Sequence, residues 1–116
     1  MFLELSHTKL NVYVYANELI IECYALVNLL PFEERFNLVQ QIKRAALSVK
    51  LNIAEGATRK SPQERRRFFE ISRGSLVEID AAFEVCVKLN YCQIERLQRL
   101  SVLLNKIYAM LCKMIV

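Results

Sequence analysis

The residues best equipped for chemistry in this chain are arginines. Arg65, Arg66 and Arg67 are consecutive, and Arg59 and Lys60 stand a few positions before them. A guanidinium group pairs bidentately with phosphate oxygens, and phosphate contacts release counterions, so such a run suits a nucleic-acid backbone. From Lys43 to Arg73 nine basic residues stand against three acidic ones, which makes this segment +6 in a chain of net charge +4. Arg44 and Arg73 complete the candidate phosphate-contacting set. A solvated helix turn is the plain alternative. Against it, positive charge near a helix N-terminus opposes the macrodipole, and an anion would compensate for that.

Other chemistries lack their parts. The one histidine, His7, lies near the start of the sequence and is expected at the surface. No Ser or Cys of the central segment has a His partner for acyl transfer, and no glycine-rich phosphate loop is present. The four cysteines, Cys23, Cys86, Cys92 and Cys112, show neither CxxC nor metal-ligand spacing. They are expected to be reduced thiols within apolar patterns, which fits a cytoplasmic location. Glu18 and Glu22 form an i, i+4 pair with no Glu-x-x-His companion. The sequence therefore predicts no catalytic residues, no metal, no cofactor, no small-molecule substrate and no enzyme. No uncharged apolar run approaches the length needed to span a membrane.

The elements that must position these arginines are helices. Two Gly and two Pro are too few for the frequent turns of a β fold. A first helix is expected from about Thr8 to Leu30, with Tyr13, Ala16, Ile20, Tyr24 and Val27 as its main stripe. A second is expected from about Pro31 to Ala57, with Leu38, Ile42, Ala46, Val49 and Ile53 facing the core. The break at Gly56 to Lys60 is followed by a helix start. Ser61 can accept from the backbone N–H of Glu64, and Pro62 sits where its missing donor costs nothing. The third helix, from about Pro62 to Leu89, carries a seam of Phe69, Ser72, Leu76, Ile79, Phe83 and Cys86 at bundle spacing. Gly74 and Ser75 are expected to admit a neighbouring helix near Ala45 and Ala46. After a turn at Asn90 to Cys92, a fourth helix uses Ile94, Leu97, Ser101, Leu104, Tyr108, Leu111 and Ile115. Four helices with short connections in a single domain, residues 1–116, give an all-α antiparallel up-down-up-down four-helix bundle.

The stretch from Gln41 to Gly56, which includes Arg44, Ala45, Ala46, Ser48 and Asn52-Ile-Ala-Glu-Gly56, resembles a known family. Arg59, Gly74-Ser75, Glu78, Pro31 with Glu34, and Leu10-Asn-Val-Tyr13 extend the likeness over nearly the whole chain. The family is that of the four-helix-bundle proteins encoded within intervening sequences of bacterial large-subunit (23S) ribosomal RNA genes. More distantly, the chain is similar to accessory proteins of diversity-generating retroelements, which bind a reverse transcriptase and nucleic acid. The resemblance implies a four-helix bundle and a homo-oligomer, with a pentameric ring the family's usual form. It also implies action with RNA or a ribonucleoprotein. The other reading is a protein-binding adaptor for a polymerase-type partner. Arg73 stands where the family more often has a small or apolar residue, which adds positive charge to the outside of the third helix.

Two further sets matter. Gln41, Arg44, Ser48, Asn52 and Glu55 form a polar line along the second helix, read as structural ties to neighbouring helices or subunits, or as ligand contacts. Arg59 is the cation nearest to Glu55. Leu47, Leu51 and Ala54 lie opposite the core stripe of that helix, so it needs two apolar partners. Leu47 and Leu51, with Val12 and Leu19 of the first helix, are the expected subunit interface; a broad core stripe is the alternative.

Overall fold

A computed structural model describes all residues, Met1 to Val116. Four α-helices carry the fold: α1 Asn11–Leu26, α2 Leu38–Thr58, α3 Pro62–Lys88 and α4 Gln98–Ile115, with no strand. The 27 residues of α3 span roughly 40 Å at 1.5 Å each, most of the 44 Å length of the molecule. Each helix packs on its two neighbours, and α4 closes the bundle against α1.

Side-chain pairs across each seam run in opposite numerical order, as antiparallel helices require. Tyr24 and Tyr13 of α1 meet Lys43 and Lys50 of α2. Ser48 of α2 meets Ser75 of α3, and at the far end of α2 Gly56 lies against Phe69. Arg66 and Arg73 of α3 reach Ile115 and Cys112 of α4. Lys106 and Arg99 of α4 face Tyr15 and Glu18 of α1.

The core follows the expected seams of α2 and α3. Ile42, Ala46, Val49 and Ile53 are buried, as are all six residues of the α3 seam. The stripe of α1 differs from expectation. Val12, Ala16, Leu19, Cys23 and Leu26 form its buried line, whereas Tyr24 reaches solvent. The rings of Tyr13 and Tyr24 instead face the ammonium groups of Lys50 and Lys43 at the α1–α2 seam, 5.1 Å and 4.9 Å from the ring centres. Across the 3-10 turn Ile94–Leu97 and α4 the buried line is Leu97, Leu100, Leu103, Leu104, Ile107 and Leu111, while Ile94, Ser101 and Tyr108 are exposed.

The connection between α1 and α2 also departs from the expected long helices. Two 3-10 turns, Val27–Leu29 and Phe32–Glu34, separate them, and α2 starts at Leu38 rather than Pro31. Pro31 has an extended backbone and precedes the second of these turns. At the same end, α3 closes with Asn90 in the left-handed region at φ 62°. The Tyr91 N–H donates to the Cys86 carbonyl and the Asn90 N–H to that of Val87, a Schellman motif in which asparagine takes the place glycine usually fills. The Tyr91 hydroxyl then donates to Glu34 at 2.8 Å, joining the two connections.

Gly74 does not serve as a point of close approach. A Cβ there would meet nothing within 4 Å. Gly56 does that work, packed beneath Phe69 in the last turn of α2. His7 is not a frayed surface residue either. It is half-buried in a 3-10 turn, Ser6–Lys9, with its ring edge-on to Tyr13 at 5.1 Å.

Candidate nucleic-acid interface

The basic residues gather where α2 passes into α3. The two helices are held closely there by small residues. Ser72 donates to the Val49 carbonyl at 2.8 Å, and Ser75 donates to the Ser48 hydroxyl at 2.8 Å. Thr58 ends α2, Arg59 turns the backbone into extended geometry, and Ser61 caps α3 by accepting from the Glu64 N–H at 3.4 Å. Pro62 occupies the first helical position, as expected. The Glu64 carboxylate accepts no bond back from the Ser61 N–H, so the cap is one-sided.

The five clustered cations are all exposed but not equivalent. Arg59 is paired with Glu55 at 2.6 Å, the partner expected from the sequence, and lies 5.1 Å from the centre of the Phe68 ring. Both charges of that pair are exposed, so it adds little stability. Arg65 folds back over the connection and donates to the Arg59 carbonyl at 3.4 Å. Arg66 turns the other way and donates to the Ile115 carbonyl at 3.1 Å, where a cation suits the negative end of the α4 dipole. Lys60 and Arg67 form no intramolecular hydrogen bond or ion pair. Arg73, two turns along the same stripe from Arg66, lies against α4. Its guanidinium donates to the Cys112 thiol at 3.6 Å and approaches the Tyr108 ring. The Cys112 contact holds the Arg73 guanidinium above its usual range. The structure therefore gathers Arg59, Lys60 and Arg65 at one corner, the α2–α3 connection, and leads Arg66 and Arg73 round to the α4 side, while Arg67, about 200° round α3 from Arg65, is exposed on the outer face of that helix. Arg44 is on the outward face of α2, more than two helical turns from that corner, without a hydrogen-bonding or ionic partner.

A model of the family described as 23S rRNA-intervening sequence protein matches residues 8–113. The chain belongs to that family. No curated protein matches it significantly. Within this family member, the matched region takes in α1, α2, α3, most of α4 and the basic residues of the α2–α3 connection, and leaves out the first seven and the last three residues.

The polar line of α2 divides in two. The amide of Asn52 donates to the Ser48 carbonyl at 2.8 Å and to its hydroxyl at 3.0 Å, and Ser75 reaches the same hydroxyl from α3. This half is a structural tie between helices. Gln41 and Arg44 are exposed and make no side-chain bond within the chain.

The interface residues divide as well. Leu47 and Leu51 are 40% and 58% exposed, so α2 does present a second apolar face. Val12 and Leu19 are 3% and 0% exposed, which corrects their assignment to that interface. They are core residues, because the buried arc of α1 is rotated by about one residue from the expected stripe.

The sequence reading missed an aromatic cluster at the opposite end of the bundle. Phe32 and Phe36 are both largely exposed, with the Arg35 guanidinium 3.6 Å and 4.5 Å from their ring centres. The signal was present in Phe32-Glu-Glu-Arg-Phe36, an aromatic pair that lies off the core stripe of Leu38, Ile42, Ala46, Val49 and Ile53. It was hidden by starting the second helix at Pro31. Elsewhere, Glu18 and Glu22 both face Arg99, at 3.5 Å and 3.9 Å, which accounts for that carboxylate pair as an α1–α4 link. No group of three His, Cys, Asp or Glu side chains converges to hold a metal ion. No helix is long and apolar enough to cross a membrane.

Proposed function

We propose that this chain is a non-enzymatic, self-associating bundle protein that binds RNA, or an RNA–protein particle, through charge at the α2–α3 connection. The observation that carries this reading is the group of exposed cations where α3 begins, with Arg59, Lys60 and Arg65 at the connection and Arg67 on the outer face of the helix. All four cations are exposed, and Glu55 is the only carboxylate paired with any of them. Phosphate is the anion whose geometry best suits clustered guanidinium groups. The corner has no free aromatic platform: Phe69 is buried and Phe68 is half-covered under Arg59. Binding there is led by shape and charge rather than by base stacking.

Self-association is supported by Leu47 and Leu51, which stand in water on a single folded copy, with Arg44 unpaired beside them. Repetition of the basic corner around an assembly would turn a modest charge into a strong field. Membership of the family is consistent with a link to ribosomal RNA.

The test is a titration of a structured RNA hairpin at about 50 and 200 mM salt. A steep loss of affinity with salt is expected, with a flattened slope when Arg65, Arg66 and Arg67 are all changed to Ala. Absence of binding at low salt would move the reading to a protein-binding adaptor. The Phe32–Arg35–Phe36 cluster gives that second reading its footing, because exposed aromatic and arginine side chains are the commonest anchors of protein interfaces.

A further inference from the structure

Between α3 and α4 runs a groove of about 890 Å³. Leu76 and Phe83 are buried at its floor, and Val77, Ile94 and Tyr108 stand exposed along its sides, Ile94 at 66%. The groove follows α3 from Leu76 to Lys88, roughly 18 Å of helix at 1.5 Å per residue. Nothing within the subunit covers it.

The same chain carries an apolar segment that covers nothing. Met1–Leu5 forms no helix, and Phe2 and Leu3 are 88% and 67% exposed, with Leu5 also in solvent. Extended, these five residues reach at most about 17 Å, enough to lie along the groove. The segment cannot fill the groove of its own subunit. Immediately after it, Ser6 is tied to the Ala57 carbonyl at 2.8 Å, and the turn that follows packs on α2 and α1. That anchor lies at the Pro62 end of α3. The groove opens only at Leu76, about 21 Å further along the helix and on the opposite side of the bundle.

We propose that the Met1–Leu5 segment of one copy of this chain lies in the α3–α4 groove of a second copy. Phe2, Leu3 and Leu5 supply the apolar contacts. Lys88 is the one cation lining the groove, beside the carboxylates of Asp80, Glu84 and Glu95, so the contact is carried by the apolar side chains and not by charge. The donor segment and the acceptor groove are different surfaces, so the contact is head-to-tail and propagates around a ring if the rotation closes. This inference rests on the self-association part of the proposed function and adds to it a second contact, separate from the Leu47–Leu51 face. It does not depend on RNA binding.

The experiment compares the full chain with a chain lacking residues 1–5 and with Ser101→Trp, by light scattering across a concentration series. Ser101 is exposed at the groove wall, so a bulky residue there blocks the groove without entering the core. Both variants are expected to lose the assembled mass of the full chain, while circular dichroism still shows a helical bundle. Retention of that mass by the truncated chain overturns the segment as occupant. Retention by Ser101→Trp overturns the groove as acceptor. If Leu51→Glu alone dissociates the assembly while both groove variants stay assembled, the self-association reading stands and this inference falls. A full chain that is monomeric at every concentration removes both.

Discussion

A Cβ on Gly56 would lie 2.7 Å from Cε1 of Phe69 and 3.0 Å from Cβ of Phe68. Phe69 is almost fully buried, so its ring has little room to retreat. Close approach of α2 and α3 at the basic corner therefore depends on the missing side chain. Gly56→Ala is expected to destabilise the bundle by roughly 1–3 kcal/mol through overpacking, although alanine is the better helix former. Gly74→Ala makes the opposite prediction. With open space at that position, it should gain about 0.5–1 kcal/mol. Urea unfolding of the two variants reads both signs, and a stable Gly56→Ala would show that the helices can part without cost.

The serine seam gives a second stability prediction. The Ser72 hydroxyl is completely buried and donates to the Val49 carbonyl. Ser72→Ala should cost on the order of 1 kcal/mol, the net worth of a typical hydrogen bond. Ser72→Leu should cost more, because the seam has no space for three additional carbons between α2 and α3. Ser101→Ala, on the exposed face of α4, serves as the neutral control. A shift in the urea midpoint for Ser72→Leu no larger than for Ser72→Ala would mean that the helices are not tightly apposed there.

The helix count, the α3 seam, the Ser61 cap and the Glu55–Arg59 pair were legible because each is a local rule: a period, a cap pair, an i, i+4 spacing. The α1 stripe was not. The line through Val12, Ala16, Leu19, Cys23 and Leu26 has as many apolar residues as the one through Tyr13, Ala16, Ile20, Tyr24 and Val27, and the bundle buries the former while Tyr24 and Tyr13 face Lys43 and Lys50 of α2. No pattern within α1 encodes that contact. The error carried Val12 and Leu19 into the expected interface. The basic corner was legible as a run of residues, but its division was not. Arg66 leaves the corner for the Ile115 carbonyl, 49 positions away in sequence.

Alkaline pH should destabilise the fold from about pH 9 upward. Burial pushes the Cys23 thiol up to about 12, and burial also raises Cys86 to about 11, from an ordinary value of 9.0. A raised thiol pKa means that the native state holds its proton more tightly than the unfolded chain. The stabilisation is complete below pH 9 and is lost as pH climbs through the native value. For Cys23 the slope is ~1.4 kcal/mol per pH unit between pH 9 and 12. The Tyr91 hydroxyl, raised by its bond to Glu34, adds a loss of the same sign above pH 10. Urea midpoints measured from pH 8 to 11 should fall steadily, and Cys23→Ala should flatten the fall. A flat profile in the parent protein would contradict this burial.

The last prediction separates two adjacent arginines. Arg67 is exposed and makes no bond within the chain, whereas Arg66 is committed to the end of α4. If the corner binds RNA phosphate, Arg67→Ala should weaken binding similarly across unrelated RNA sequences. It should also reduce the salt dependence by about one phosphate contact, and leave the urea midpoint unchanged. Arg66→Ala should do the reverse: lower the urea midpoint by freeing the Ile115 carbonyl, and leave the salt slope nearly intact. Lys60→Ala should follow Arg67→Ala. Fluorescence anisotropy with one labelled hairpin at several salt concentrations, paired with urea unfolding of the same three variants, makes the comparison. Equal slopes for Arg66→Ala and Arg67→Ala would mean that the Arg66–Ile115 bond opens when RNA binds. Unchanged slopes for Arg67→Ala and Lys60→Ala together would remove the corner from the RNA interface.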